Sequence, residues 1–567
     1  MNLHKLLYFF VPLLIWSCAN RVPPSGGPKD KDPPKLIGSI PKDGSINVKG
    51  KEISLLFDEQ VVVKNITKEL LITPRIDFDY TYKTKKNTII ISLEEELDTA
   101  TTYTFNFRDG IVDITEGNPA QDLILAFSTG PVLDTLQITG MVQDLFTEKP
   151  VKDVIVGLYN ASDTLDLFNS PPYYLSQTNK KGQFIFRNLK SDDYKIYAFV
   201  DKNKNLMCQS DREMYAFQDS IIALDSNKII KPLKLQYMNM DTLVLKRTRT
   251  SGQYYLAVAN KALIDVSLTA SNDSTLWYAL DKEQKEIKIY NTFSIKDSLL
   301  VNLTLTDSLY QTVVDSFYLS FPESQRPYDK YETNLVDLQV RPEEKSIKYT
   351  ITTNKPSRIE YPDSIVLTLD TLAVANFDST WNIQANSTQT EFKLSNYLPK
   401  NYLDSLGYTS KSSSARTVTQ ESKMPESGQR KRNLTYKLVI PKATVLSIES
   451  DSSSTMEAKL SPAYAKNFGE LKGTIQTKYS NYRIQLLDKS YNVLDETSEG
   501  STYIFRYISP GDYLIRIIID ANENGRWDPG NIYLNQLPEP IFIYKDEEGK
   551  SKTTIRANWE LTLDLTF

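Results

Sequence analysis

Two stretches of this chain, 184–205 (FIFRNLKSDDYKIYAFVDKNKN) and 503–524 (YIFRYISPGDYLIRIIIDANEN), align without a gap 319 residues apart and share nine of 22 positions. Each reads as a short strand, a polar turn, a second strand and an Asx-rich loop. Side chains alternate across a strand, so Tyr194, Ile196, Ala198 and Val200 share one face. Tyr513, Ile515, Ile517 and Ile519 occupy the same places in the later copy. A slip of one residue would turn either set to water, so the kept register marks a duplicated β unit.

The rest of the composition agrees with sheets. A chain of 567 residues is long enough for about four or five domains. Its 34 tyrosines and 11% aromatic content suit strands and turns, and no long helical apolar spacing occurs beyond the N-terminus. The net charge of −5 leaves no basic footprint for nucleic acid. His4 is the one histidine in the chain, and it falls in a segment expected to be removed. A mature chain without histidine excludes Ser-His-Asp and Cys-His catalysis and every His-ligated metal site. No phosphate loop, dinucleotide fingerprint or metal-binding cysteine pair is present. The expectation is a protein that is not an enzyme.

Residues 1–17 read as a signal peptide: Lys5, then an apolar run from Leu6 to Ile15, too short for a bilayer span of about 20 residues. The run ends Ile15-Trp16-Ser17-Cys18, which resembles the bacterial lipobox, although Trp16 replaces the usual small residue. The resemblance implies cleavage before Cys18, lipid on its sulfur, and a practically permanent membrane anchor. Ala19 is not the aspartate associated with inner-membrane retention, so the outer membrane of a Gram-negative bacterium is the expected site. Residues 18–34, rich in Pro, Gly, Lys and Asp, read as a tether.

Five β-sandwiches are expected beyond it, an all-β string. In 35–130, alternating runs around Ile53, Leu55 and Phe57, Ile89 and Ile91, Tyr103, Phe105 and Phe107, and Leu125 and Phe127 resemble the bacterial Ig-like domains first described in S-layer proteins. Asp58-Glu59 within that pattern reads as loop chemistry. Residues 135–226, with ITG, VIVGLYN, GQFIFRNL and YKIYAFVD, resemble a carboxypeptidase-regulatory-like, transthyretin-like sandwich, which implies a spacing or binding module. A third sandwich is expected over 240–323. A degenerate Ig-like unit follows over 331–462, with a disordered insertion at 409–433. Residues 468–567 form the second transthyretin-like copy with a C-terminal strand, Trp559–Phe567, that closes a sandwich rather than a membrane barrel. The Ig-like plus transthyretin-like pair is thus duplicated.

One loop carries a candidate site. Asp520, Asn522 and Asn524 are spaced i, i+2, i+4, Gly525 follows, and the Arg526 carbonyl and Asp528 complete an oxygen set. This matches the opening of a Ca²⁺ loop without its bidentate glutamate, which predicts weak binding, on the order of 10⁻⁴–10⁻³ M. Asp201, Asn203 and Asn205 form a poorer copy, with Leu206 at the glycine position. The competing reading is an Asx-rich corner that bonds its own backbone. No other cofactor is expected. Trp527 and Tyr533 could stack on sugars or cover their own sheet, and Cys208 reads as an idle thiol. Two function classes follow: a lipid-anchored envelope scaffold or binding module, or an accessory lipoprotein that binds or processes glycans with paired carboxylates. The expected partners are the membrane and an envelope protein or glycan.

Overall fold

The computed structural model describes residues 30–271, 276–292, 298–369, 372–377, 381–406, 435–498 and 500–567. His4, Cys18 and the insertion 409–433 lie outside them. Among the described residues the chain is almost wholly β, and no helix is long and apolar enough to cross a membrane.

The first unit packs a sheet of Leu36–Ile40, Glu52–Phe57, Thr88–Leu93 and Tyr80–Lys85 against one of Leu71–Thr73, Thr102–Asn106 and Ile124–Ser128. The alternating residues of the sequence meet in one core, where Phe105 and Phe127 stack at 5.6 Å between ring centroids. Asp58 accepts the Lys35 N–H at 2.8 Å, a loop contact. The fourth unit repeats this plan. Ser346–Thr353 buries Ile347, Tyr349 and Ile351 as Glu52–Phe57 buries Ile53, Leu55 and Phe57. The third unit sets Leu245–Ser251, Tyr254–Ala259, Glu286–Tyr290 and Tyr278–Leu280 against Leu263–Ala270, Leu299–Asp307 and Thr312–Leu319.

The duplicated units match in fine detail. Strands Gln183–Leu189 and Thr502–Ile508 alternate buried and exposed residues identically. Each ends in a bulge against its neighbour, with Asn188 and Tyr507, 319 residues apart, both at φ 57°. After the turn, the Tyr194 hydroxyl donates to the Lys190 carbonyl (3.0 Å) and the Tyr513 hydroxyl to the Ser509 carbonyl (2.6 Å). The predicted inward sets are inward: Ile196, Ala198, Ile515 and Ile519 are fully buried, Ile517 nearly so, and Val200 half-buried. The tail closes the last unit by parallel pairing of Glu560–Thr562 and Leu565–Thr566 with Gly469–Gln476. Leu565 enters that core, whereas Trp559 stays exposed under the Arg556 guanidinium.

Alternation foresees one buried face on the central strands Asp193–Phe199 and Gly511–Asp520, and the structure buries both. Tyr197 and Phe199 join a second cluster with Tyr159, Cys208, Tyr215 and Met238. Ile518 packs with Leu145 and Ile541, and Leu514 with Leu487 and Ile543.

Ile517→Asp places an unpaired charge in the core and is expected to destabilise the last unit by more than about 4 kcal/mol. Ile504→Asp, on an exposed position of the adjacent strand, should cost less than about 1 kcal/mol. Urea unfolding of the two variants checks the register, and equal midpoints would refute it.

Candidate functional site

The Asx-rich loops leave the ends of the central strands, and a carboxylate organises each from its first position. Asp201 accepts backbone N–H groups of Lys204, Asn205 and Leu206. Asp520 accepts those of Asn524 (3.0 Å) and Gly525 (2.8 Å). Leu206 adopts φ 60° where Gly525 adopts φ 82°, so the first copy keeps a left-handed turn on a side chain that resists it.

A second, buried carboxylate completes each loop, and sequence reasoning missed both. Glu213 accepts the N–H groups of Lys202 (2.7 Å) and Gln209 (2.8 Å). Glu539 accepts those of Ala521 (2.6 Å), Asn522 (3.2 Å) and Asp528 (2.9 Å). Lys202 and Gln209 stand 319 residues before Ala521 and Asp528, yet Glu213 stands 326 before Glu539. The second copy therefore carries seven extra residues between Asp528 and Glu539, and the broken offset hides the pair from an ungapped alignment. The visible trace was an acid preceding the next strand in both copies, Met214–Phe217 and Ile541–Ile543. A related device holds the first unit: buried Asp113 accepts four backbone N–H groups, Thr115 to Asn118, and these keep its carboxyl below the usual range, the Glu116 N–H foremost.

The expected Ca²⁺ residues Asp520, Asn522, Asn524, Arg526 and Asp528 are together in one loop, with side-chain oxygens of Asp520, Asn522, Asn524 and Asp528 engaged. Asn522 Oδ1 accepts from Asn524 N–H, and Asn524 Oδ1 from Arg526 N–H. Asp528 accepts from the Asn522 amide (2.5 Å), the Asn524 amide (2.9 Å) and, across to the third unit, the Tyr310 hydroxyl (2.6 Å). Among the described residues no three acidic, thiol or imidazole groups converge as a metal cluster. A Ca²⁺ ion entering here must draw Asp528 from Tyr310 and both amides.

The extra residues reach the first repeat. Gln236 Nε2 donates to the Pro529 carbonyl at 2.6 Å, Asn535 Nδ2 donates to the Asp219 carbonyl, and Tyr533 lies 6.0 Å from the Phe168 ring. Ile532 packs on the cluster that holds Cys208, whose thiol is pushed up by burial. Beside them Trp527 meets Phe146 edge-on at 5.1 Å and donates its indole N–H to the Glu539 carbonyl at 3.0 Å. Its ring covers protein rather than standing free. Charges border this contact: Glu148 meets Lys545 at 2.7 Å and Lys234 at 3.6 Å, and the Lys149 ammonium sits 4.4 Å from the Tyr491 ring centre. The two repeats are therefore docked on each other, although two other sandwiches separate them in sequence.

This geometry positions and rigidifies. Residues 30–129 match the bacterial Ig-like domain. No curated protein matches the chain. Among solved structures, the major pilin subunit BcpA of Bacillus cereus is 10% identical, covering 76% of this chain and 99% of its own, with a TM-score of 0.14. The S-layer protein SbsC is 12% identical, covering 91% and 67%, at 0.13. A DUF3823 family protein from Bacteroides ovatus is 11% identical, covering 39% and 90%, at 0.11. At such scores these likenesses carry no argument about arrangement or activity.

Glu539→Ala strands three backbone donors and should destabilise the last unit by about 2–3 kcal/mol, whereas exposed Glu523→Ala should stay within about 0.5 kcal/mol. Denaturant midpoints distinguish the two. Melting in Ca²⁺ and in Mg²⁺ tests the expected ion. A cation site gives a Ca²⁺-specific rise that Tyr310→Phe enlarges, and a structural corner gives equal midpoints in both ions.

Proposed function

We propose that this chain is a non-enzymatic structural protein of a Gram-negative cell envelope, held at the outer membrane by lipid on Cys18, and that its two repeat units are transthyretin-like modules. The observation that carries the reading is the docking of the repeats. Interactions at 520–539 are spent on holding sandwiches together, as a scaffold requires. The bacterial Ig-like domain at 30–129 supports an envelope setting. The sequence around Cys18 supports the anchor, and the Pro/Gly-rich composition of 18–34 supports a tether. The lack of histidine beyond His4 supports the absence of catalysis.

Cys18→Ala is expected to release the protein from membranes while its circular dichroism and melting stay those of the parent, because acyl chains and not the sandwiches supply the affinity. Persistence of the variant in the outer-membrane fraction after a high-salt wash would overturn the anchor.

A further inference from the structure

The first repeat is not a closed sandwich. Strands Met214–Phe217 and Leu233–Tyr237 pair only at Met214 and Tyr215 against Tyr237 and Gln236, and then diverge. The central strand's partner passes from Phe217 to Ile222, so residues 218–221 leave the ladder. Over Leu233–Leu235 the other strand pairs with Val142–Asp144 on one side and, among the described residues, with no strand on the other. Between the splayed walls lies a cleft of about 710 Å³, closed at one end by residues 537–541 of the second repeat. Its lining is mainly apolar, and its lips carry Ile221, Ile229 and Leu537, with Ile229 89% exposed.

We propose that this cleft binds an extended peptide segment of a partner protein, apolar at alternate positions and acidic at one end, which adds a strand to the open edge at Leu233–Leu235. Three observations select that occupant. The open edge presents backbone groups that an acyl chain would cover without satisfying, whereas a strand pairs them. The cleft continues an existing interface, because Leu145 and Ile541 belong both to its wall and to the buried contact between the repeats. The wall also carries three lysines. Lys228 is held by Asp225 at 2.7 Å and Lys234 by Glu148, while exposed Lys231 has no ion-pair partner among the described residues. Lys231 is the charge left for an acidic peptide end. The inference goes beyond the structural reading above and stands or falls separately from the lipid anchor.

The test uses the full chain and a fluorescein-labelled, capped hexapeptide of alternating valine and threonine ending in aspartate, followed by anisotropy. Saturable binding is expected, weakened about tenfold by Ile229→Lys, which removes an apolar contact. Lys231→Glu should weaken it severalfold and make it less sensitive to salt. Both residues are exposed, so unchanged melting verifies that each variant is folded. The same peptide with N-methylated backbone amides should not bind. Equal binding of the methylated peptide, displacement by laurate, or no binding at millimolar peptide would each overturn the proposal.

Discussion

A strand that is apolar on both faces cannot be satisfied by a single two-layer sandwich, and this constraint organises the molecule. Gly511–Asp520 turns Ile515, Ile517 and Ile519 into its own core and leaves Leu514 and Ile518 to be covered from the other side. Cover for Ile518 comes in part from Leu145 of the first repeat. The first repeat has the same difficulty with Tyr197 and Phe199, and Leu309 and Ile532 from two other units pack against that cluster. The drive that folds each sandwich thus also brings distant units together.

Buried ion pairs also lie close to two junctions between neighbouring units. Lys261, at the junction of the second and third units, reaches Asp307 at 2.5 Å and the carbonyls of Asn239 and Asp241. Lys355, between the third and fourth, is 1% exposed and reaches Glu449 at 2.6 Å and Asp451 at 2.7 Å. Burial and the two acids act on Lys355 in opposite directions, and its ammonium ends above its ordinary value. Each ion pair lies within one unit, and such groups add little net stability over an apolar replacement, whereas loss of one partner would leave the other charge unpaired in a dry site.

The sequence displayed the cores well, because a period of two is visible in any strand with one wet face. Tyr194, Ile196, Tyr513 and Ile515 all stand where that period puts them. It displayed the contact between repeats poorly. LIRIIID at 514–520 is a nearly unbroken apolar run, itself a sign of two dry faces, but a run does not say which distant surface covers the second one. Glu213 and Glu539 were less legible still. Their partners are backbone amides, which have no sequence signature, and the seven added residues break the constant offset that reveals the rest of the repeat. The loop at 520–528 was legible as a cluster of oxygens. The partners those oxygens take were not legible: Asp528 meets the Asn522 and Asn524 amides within the loop and Tyr310 across to the third unit.

The added segment before Glu539 also bears on how a duplicated protein satisfies its own surfaces. Two identical copies joined in one chain offer each surface twice, so a contact that satisfies the pair can equally link one molecule to the next. Here the copies are unequal: the loop that reaches across exists in one, and the groups that meet it, the accepting Asp219 carbonyl and the donating Gln236 amide, are in the other. The contact is therefore head-to-tail in kind but closed within the chain, where both surfaces are consumed at high effective concentration. Deleting the extra residues would do more than loosen a joint. It would return the two units toward equivalence and leave the faces that now meet within one chain without their partner.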